Sequence, residues 1–168
     1  STQGYSSAAS DVYKRQVWVR ILFICHGNIC RSPMAEYIMK ELVKREGVAG
    51  DWEIESAAVS REEIGNPVYP PARRKLAEYG IRSDGHHARR IERSDYEKYD
   101  YLIGMEQFNI RNMMRVLGSD PEQKVYRLLD FTDRPGDIDD PWYTNDFETA
   151  YREILRGCEG LLRTLKKK

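Results

Sequence analysis

The sequence predicts an α/β domain of three layers, a four-stranded parallel sheet flanked by helices on both faces. Short β-branched and aromatic runs alternate with segments whose apolar residues recur at helical spacing, the pattern of successive strand–helix units. The first run, residues 17–24 (VWVRILFI), is apolar almost throughout, as in a strand buried on both sides rather than one. Glycine or proline stands at most of the changeovers, where the chain must turn. Parallel neighbours are joined by right-handed crossovers, and ligands of such sheets bind at the carboxyl ends of the strands.

Taken in order, the first strand gives way at 26–32 to glycine and small or polar residues. Pro33 suits the first turn of a helix capped by Ser32. Ala35, Ile38, Met39, Leu42 and Val43 fall on one face of it, and Gly47 ends it. A second strand is predicted over 52–58. Gly65, Pro67, Pro70 and Pro71 mark a loop, and a short helix fits 70–79, closed by Gly80. Residues 94–98 make one helical turn before a third strand at 101–105. A helix over 108–117 ends at Gly118, and 124–129 is the fourth predicted strand. A polar loop, 130–146, leads to the last helix, where Phe147, Tyr151, Ile154, Leu155, Cys158, Leu161, Leu162 and Leu165 share one face. Asn145 with Glu148 resembles a capping box, Asn standing in for Ser or Thr. The expected total is four strands and about five helices.

At 168 residues the chain has the length of one domain. A domain of this size buries roughly 70% of its unfolded surface and needs no disulfide staples. The domain is expected to span 17–168. Residues 1–16 (STQGYSSAASDVYKRQ) lack periodicity and any apolar stretch, so they read as a disordered or non-native extension, not a signal peptide. Lys and Arg together number 27, as do Asp and Glu, so no broad basic face is available for nucleic acid. Apolar runs fall well short of the ~20 residues of a membrane helix. Three cysteines cannot all pair within one chain, which fits a reducing, cytoplasmic location.

The chemistry is expected between the first strand and the first helix, in the run Cys25, His26, Gly27, Asn28, Ile29, Cys30, Arg31 and Ser32. Backbone N–H groups at a helix N-terminus form an anion site, and Gly27 is free to take a backbone conformation that other residues resist. Arg31 adds a planar fork that matches phosphate oxygens. Cys25 faces the same site, where the helix N-terminus and the nearby cation favour a thiolate. A thiolate beside an anion-binding nest is a nucleophile aimed at phosphorus. The bland alternative is a buried apolar thiol. A metal reading fails on ligand count, because the third cysteine, Cys158, lies on a core face of the last helix. A redox pair of Cys25 with Cys30 is the rival within the loop. The run has neither a dinucleotide fingerprint nor the Gly-Lys-Ser/Thr ending of a nucleotide-binding loop.

The stretch 21–36, ILFICHGNICRSPMAE, resembles the signature of the low-molecular-weight protein tyrosine phosphatases. The resemblance continues through Ser56-Ala57-Ala58, Gly65-Asn66-Pro67, Gly85-His86-His87-Ala88-Arg89 and Asp140-Pro141-Trp142-Tyr143, and covers roughly residues 17–165. It implies a flavodoxin-like phosphatase fold and hydrolysis of phosphotyrosine in proteins or peptides through a cysteinyl-phosphate. Inorganic phosphate is then the product, with no metal and no other cofactor. By that resemblance Cys25 is the nucleophile, Arg31 grips phosphate in ground and transition states, and Ser32 hydrogen-bonds the thiolate. Asn28 props up the loop, with Ser56 and His86 as its partners. Asp140 is the acid for the leaving group, although Asp137 and Asp139 stand close by. Trp142 and Tyr143 are aromatic groups at the rim. The family's arginine-phosphatase branch has a small polar residue where this chain has Ile29, which favours phosphotyrosine here.

Two departures stand out. Where the family usually has an aromatic residue after Ser60, this chain reads Arg61-Glu62-Glu63, so the wall carrying Glu62 is charged and another phospho-residue is an alternative substrate. His26 replaces a residue that is often apolar, and its ring either modulates the thiolate or faces solvent. The rival activity with a similar loop is thiol-based arsenate reduction, which needs a further cysteine relay. A non-catalytic phosphate-binding module needs neither Cys25 nor Asp140.

Overall fold

β1 (Val19–Cys25) forms where the apolar run is strongest, and it lies inside the sheet rather than at an edge. It pairs in parallel with β2 (Trp52–Ala58) on one side and β3 (Tyr101–Gly104) on the other. β4 (Val125–Arg127) pairs in parallel with β3, giving the order β2-β1-β3-β4. The computed structural model describes residues 18–166. The expectations for 1–16, for Val17 and for the last two lysines fall outside the described residues.

Alternation along β1 builds a core on each face. Ile21, Phe23 and Cys25 join the apolar side chains of α1 (Arg31–Arg45), α2 (Pro70–Glu78) and α6 (Phe147–Lys166). Leu22 and Ile24 face the other way, onto α3 (Asp95–Lys98) and α4 (Gln107–Leu117). The three predicted layers are therefore present. All four side chains from Ile21 to Ile24 are sealed from water. Each such burial is worth roughly 1.5–3 kcal/mol over exposure. Because the chain leaves β1 for β2 on one side and then returns to β3 on the other, the sheet's switch point falls at the carboxyl end of β1.

β2 spans the predicted 52–58, and α2, α3 and α4 lie within a residue or so of expectation. Several boundaries differ. β1 runs one residue further and ends on Cys25 itself. Ser32 is not a cap: α1 begins at Arg31 with Cys30 at the N-cap and no side-chain capping bond, and the Ser32 hydroxyl is used elsewhere. β4 stops at Arg127 because the chain tightens into a 3₁₀ turn, Leu128–Phe131, packed against α6 at Gly157 and Gly160. The loop 130–146 contains a sixth helix, α5 (Pro141–Thr144), capped by Asp140 and opened by a proline whose missing N–H costs nothing there. Asn145 does not cap α6. It closes α5 at φ 60°, and the Asp146 carboxylate accepts from the Thr149 backbone N–H instead. Glu148 holds Lys75 and Tyr79.

Candidate active site

Cys25 is the last residue of β1, 3% exposed, at the floor of a cleft at the switch point. Its Sγ meets the Asn28 backbone N–H at 3.3 Å, the Ser32 backbone N–H at 3.4 Å and the Ser32 hydroxyl at 3.0 Å. The direction of the last bond follows from its neighbours. Ser56 donates its hydroxyl hydrogen to Glu36 at 2.6 Å, and so accepts from Asn28 Nδ2 at 2.9 Å. Asn28 Nδ2 also donates to Ser32 Oγ at 2.8 Å, which leaves the Ser32 hydrogen for the sulfur at 3.0 Å, the nearer of its two acceptors, the Ala57 carbonyl lying at 3.5 Å. A chain of polar groups thus runs from exposed Lys40 through buried Glu36 to the thiol.

Asn28 is the residue in the loop with left-handed backbone, at φ 60°, not Gly27 as expected. Asparagine tolerates that region better than most side chains. Here the conformation is held from four directions: Asn28 also accepts from the Arg89 N–H at 3.1 Å and presents its carbonyl to His86 Nε2 at 2.7 Å. The His86 ring therefore carries its proton on Nε2, since a carbonyl only accepts. His87 is exposed and sits against the Gly65 carbonyl, outside this network. At Gly27 a Cβ would come within 3.3 Å of Glu63 Cγ, a tight contact that this side chain can relieve by a shift of a few tenths of an ångström.

Arg31 opens α1 and is 1% exposed. Nη1 donates to Glu106 at 2.5 Å and to the Ile138 carbonyl at 2.8 Å, and Nη2 lies 3.3 Å from Asp140. Burial works against the guanidinium charge, but Cys25, Asp140 and Glu106 together outweigh it and hold its pKa above the usual arginine value. Nε is buried and has no partner among the described residues. Asp140 accepts from the Trp142 N–H at 3.0 Å through one oxygen and faces Arg31 with the other. Asp137 is engaged by Gln107 N–H and Arg127, and Asp139 is exposed beside a neighbouring groove. Of the three carboxylates, Asp140 alone lines the cleft with Cys25 and Arg31.

The rim has two characters. On one side Trp142 and Tyr143 are 51% and 82% exposed, with the Tyr69 ring packed 4.8 Å from Trp142. On the other, Glu62 is 70% exposed and lies 3.4 Å from His26 Nε2. His26 is thus half-exposed at the lip and paired with a carboxylate. Ile29 and Cys30 line the cleft from its inner side. Burial, followed by the negative charge at Cys25 and Asp140, pushes the Cys30 thiol pKa up strongly. Cys158 is sealed under α1, its Sγ against the Ala35 carbonyl.

Sequence reasoning missed Glu106, Glu36 and Tyr69. The signal for Glu106 was available: it stands just past β3, at the carboxyl edge of the sheet, and a buried arginine demands a carboxylate partner. Among the described residues no cluster of three or more His, Cys, Asp or Glu is placed to hold a metal ion, and no helix is long and apolar enough to cross a membrane.

A family model described as low molecular weight phosphotyrosine protein phosphatase matches residues 20–168. The chain is 37% identical over 151 residues to the low molecular weight protein-tyrosine-phosphatase YfkJ of Bacillus subtilis, covering 89% of this chain and 97% of that one. It is also 37% identical over 158 residues to the low molecular weight phosphotyrosine protein phosphatase of Rattus norvegicus, covering 84% and 92%. The crystal structure of Bacillus subtilis YfkJ superposes with a TM-score of 0.87 at 37% identity, covering 91% of this chain and 98% of that one.

Proposed function

The chain belongs to the low molecular weight phosphotyrosine protein phosphatase family, and from that premise we propose that it hydrolyses phosphotyrosine in proteins through a cysteinyl-phosphate at Cys25. The observation that carries this reading is the unpartnered, buried Nε–H of Arg31, at a cleft floor shared with Cys25 and Asp140. A buried donor is costly unless something accepts from it, and a phosphate oxygen does so with charge assistance.

The Cys25 thiolate attacks phosphorus while the phosphorus–oxygen ester bond breaks. Asp140, protonated at that moment, gives its proton to the departing phenolate. Arg31 and the loop N–H groups hold the equatorial oxygens, where preorganised donors act most strongly in the transition state. Water then attacks the phosphocysteine, Asp140 takes a proton from it, and inorganic phosphate leaves. The Ser32 hydroxyl hydrogen, already aimed at the sulfur, receives the returning negative charge. Exposed Trp142 and Tyr143 flank an aryl ester, and the apolar wall of Ile29 suits a ring better than a guanidinium.

Arsenate reduction is disfavoured because Cys158, the cysteine outside the loop, is sealed beneath α1 and cannot relay electrons to Cys25 without unfolding. Three free thiols accord with a reducing, cytoplasmic setting. The test is hydrolysis of a phosphotyrosine peptide without added metal. Release of phosphate by the wild type and none by Cys25→Ser is the expected result, and phosphate release by Cys25→Ser refutes the mechanism.

A further inference from the structure

Beside the catalytic cleft, on the far side of His26 from the aromatic rim, lies a solvent-open groove of ≈ 510 Å³. Its walls are Val59, Ser60, Arg90, Asn112, Arg115 and Val116, and His26 lines both the groove and the cleft. Its floor is tied to the nucleophile loop: Val59 N–H donates to the Cys25 carbonyl at 3.1 Å, and Ser60 N–H to the His26 carbonyl at 3.0 Å. A chain whose phosphorylated side chain reaches Cys25 therefore has a route across His26 into the groove.

The groove's charge is one-sided. No carboxylate lines it. Arg90 is fixed through its backbone, which bridges to Ala58, and through Nε–H donated to the Val59 carbonyl at 3.2 Å, and its outer nitrogens have no partner among the described residues. Arg115, on α4, is steadied by Asn112 Oδ1 at 3.3 Å. Neither arginine is in an ion pair among the described residues, whereas Arg89 beside them is bound to Asp95. Glu62 lies at the cleft lip next to His26, its backbone N–H donating to Ser60 Oγ at 3.4 Å, but is not part of the groove lining, so a basic groove adjoins an acidic lip in a chain whose formal net charge is zero.

We propose that the groove between Arg90 and Arg115 is a subsite for an acidic side chain flanking the phosphotyrosine of the substrate protein. Two guanidiniums on separate elements, each already held by one hydrogen bond, offer a carboxylate two charge-assisted contacts at little ordering cost. Exposure limits the gain, since solvent and salt screen such pairs. The inference rests on the phosphatase reading above.

The experiment measures kcat/KM for phosphotyrosine peptides with alanine at every flanking position, and for variants with one aspartate or one lysine placed at successive positions on either side. The acidic-to-neutral ratio is taken within each enzyme, so any general loss of activity cancels. The wild type is expected to favour aspartate at one or two positions by about three- to tenfold at low salt, falling as salt rises. Arg90→Gln with Arg115→Gln brings the ratio to about one, and Arg115→Glu turns the preference toward lysine at the same positions. A ratio near one in the wild type, or an aspartate preference that survives Arg115→Glu, overturns the subsite. Failure to hydrolyse even the all-alanine peptide refutes the phosphatase reading instead.

Discussion

Two of the side chains that carry the proposed chemistry, Cys25 and Asp140, have expected signatures. Cys25→Ser loses turnover but keeps vanadate binding, because Arg31 and the loop N–H groups are untouched; calorimetry of the variant with vanadate reads this, and loss of binding contradicts it. Asp140→Ala slows esters with poor leaving groups by roughly 10²–10⁴-fold, the range a general acid supplies, and spares activated aryl phosphates. Asp137→Ala and Asp139→Ala are the controls. Asp137 is held by Arg127 and Asp139 lies outside the cleft, so a larger effect in either reassigns the acid. Cys25, Arg31 and Ser32 were legible because they sit in one continuous run between a strand and a helix. Tyr69 was not, because it reaches the site from a distant element, and the signal at Glu106 was masked by a second reading. A glutamate before a helix reads as a cap, which Glu106 also is, and a tyrosine beside two prolines reads as loop.

Among the elements, α6 was the most legible and its immediate surroundings the least. Its apolar face was set by a 3.6-residue repeat sustained along the helix. The one-turn α5 has four residues, too few for any period, and exists because Asp140 caps it. Likewise the end of β4 is decided by what packs on it. α6 presses so closely on the 3₁₀ turn that a Cβ at Gly157 would meet Leu128 Cγ at 2.5 Å, and one at Gly160 would strike the Phe131 carbonyl oxygen. Gly160→Ala is therefore expected to destabilise the protein despite alanine's better helix propensity. Overpacking of this kind costs about 1–3 kcal/mol, against a propensity gain of about 1 kcal/mol. The upper end applies because the obstacle is backbone and cannot rotate away. Urea unfolding measures it, and an unchanged or raised midpoint shows that α6 shifts freely. That turn also leads into the segment bearing Ile138 and Asp140, so the packing of α6 positions the wall that Arg31 leans on.

Taken whole, the molecule keeps its charge and its thiols in places that totals do not reveal. A net charge of zero hides a basic groove beside an acidic lip, since composition has no geometry. The three cysteines are all buried and unpaired, but they are not equivalent. Cys25 and Cys30 line the cleft, and Cys158 lies beneath α1. Peroxide is expected to oxidise Cys25 to a sulfenic acid, the peroxide being reduced to water or hydroxide. Cys30 then attacks that sulfur as a thiolate, forming the disulfide and expelling hydroxide. Only the thiolate attacks, and burial pushes the Cys30 thiol pKa well above its ordinary value. Its thiolate fraction is therefore small near neutral pH and rises about tenfold per pH unit below that pKa. Capture is slow at low pH, where over-oxidation of Cys25 competes, and faster as pH rises. Activity recovered by dithiothreitol after a fixed peroxide exposure is thus expected to be greater at about pH 8.5 than at about pH 6.5. Cys30→Ser should lower the recoverable fraction, because the unprotected sulfenic acid is over-oxidised, and peptide mapping should find Cys158 reduced throughout. Equal recovery in Cys30→Ser and wild type means that Cys30 only fills space beneath the loop, and a recovery independent of pH means that its deprotonation does not limit capture.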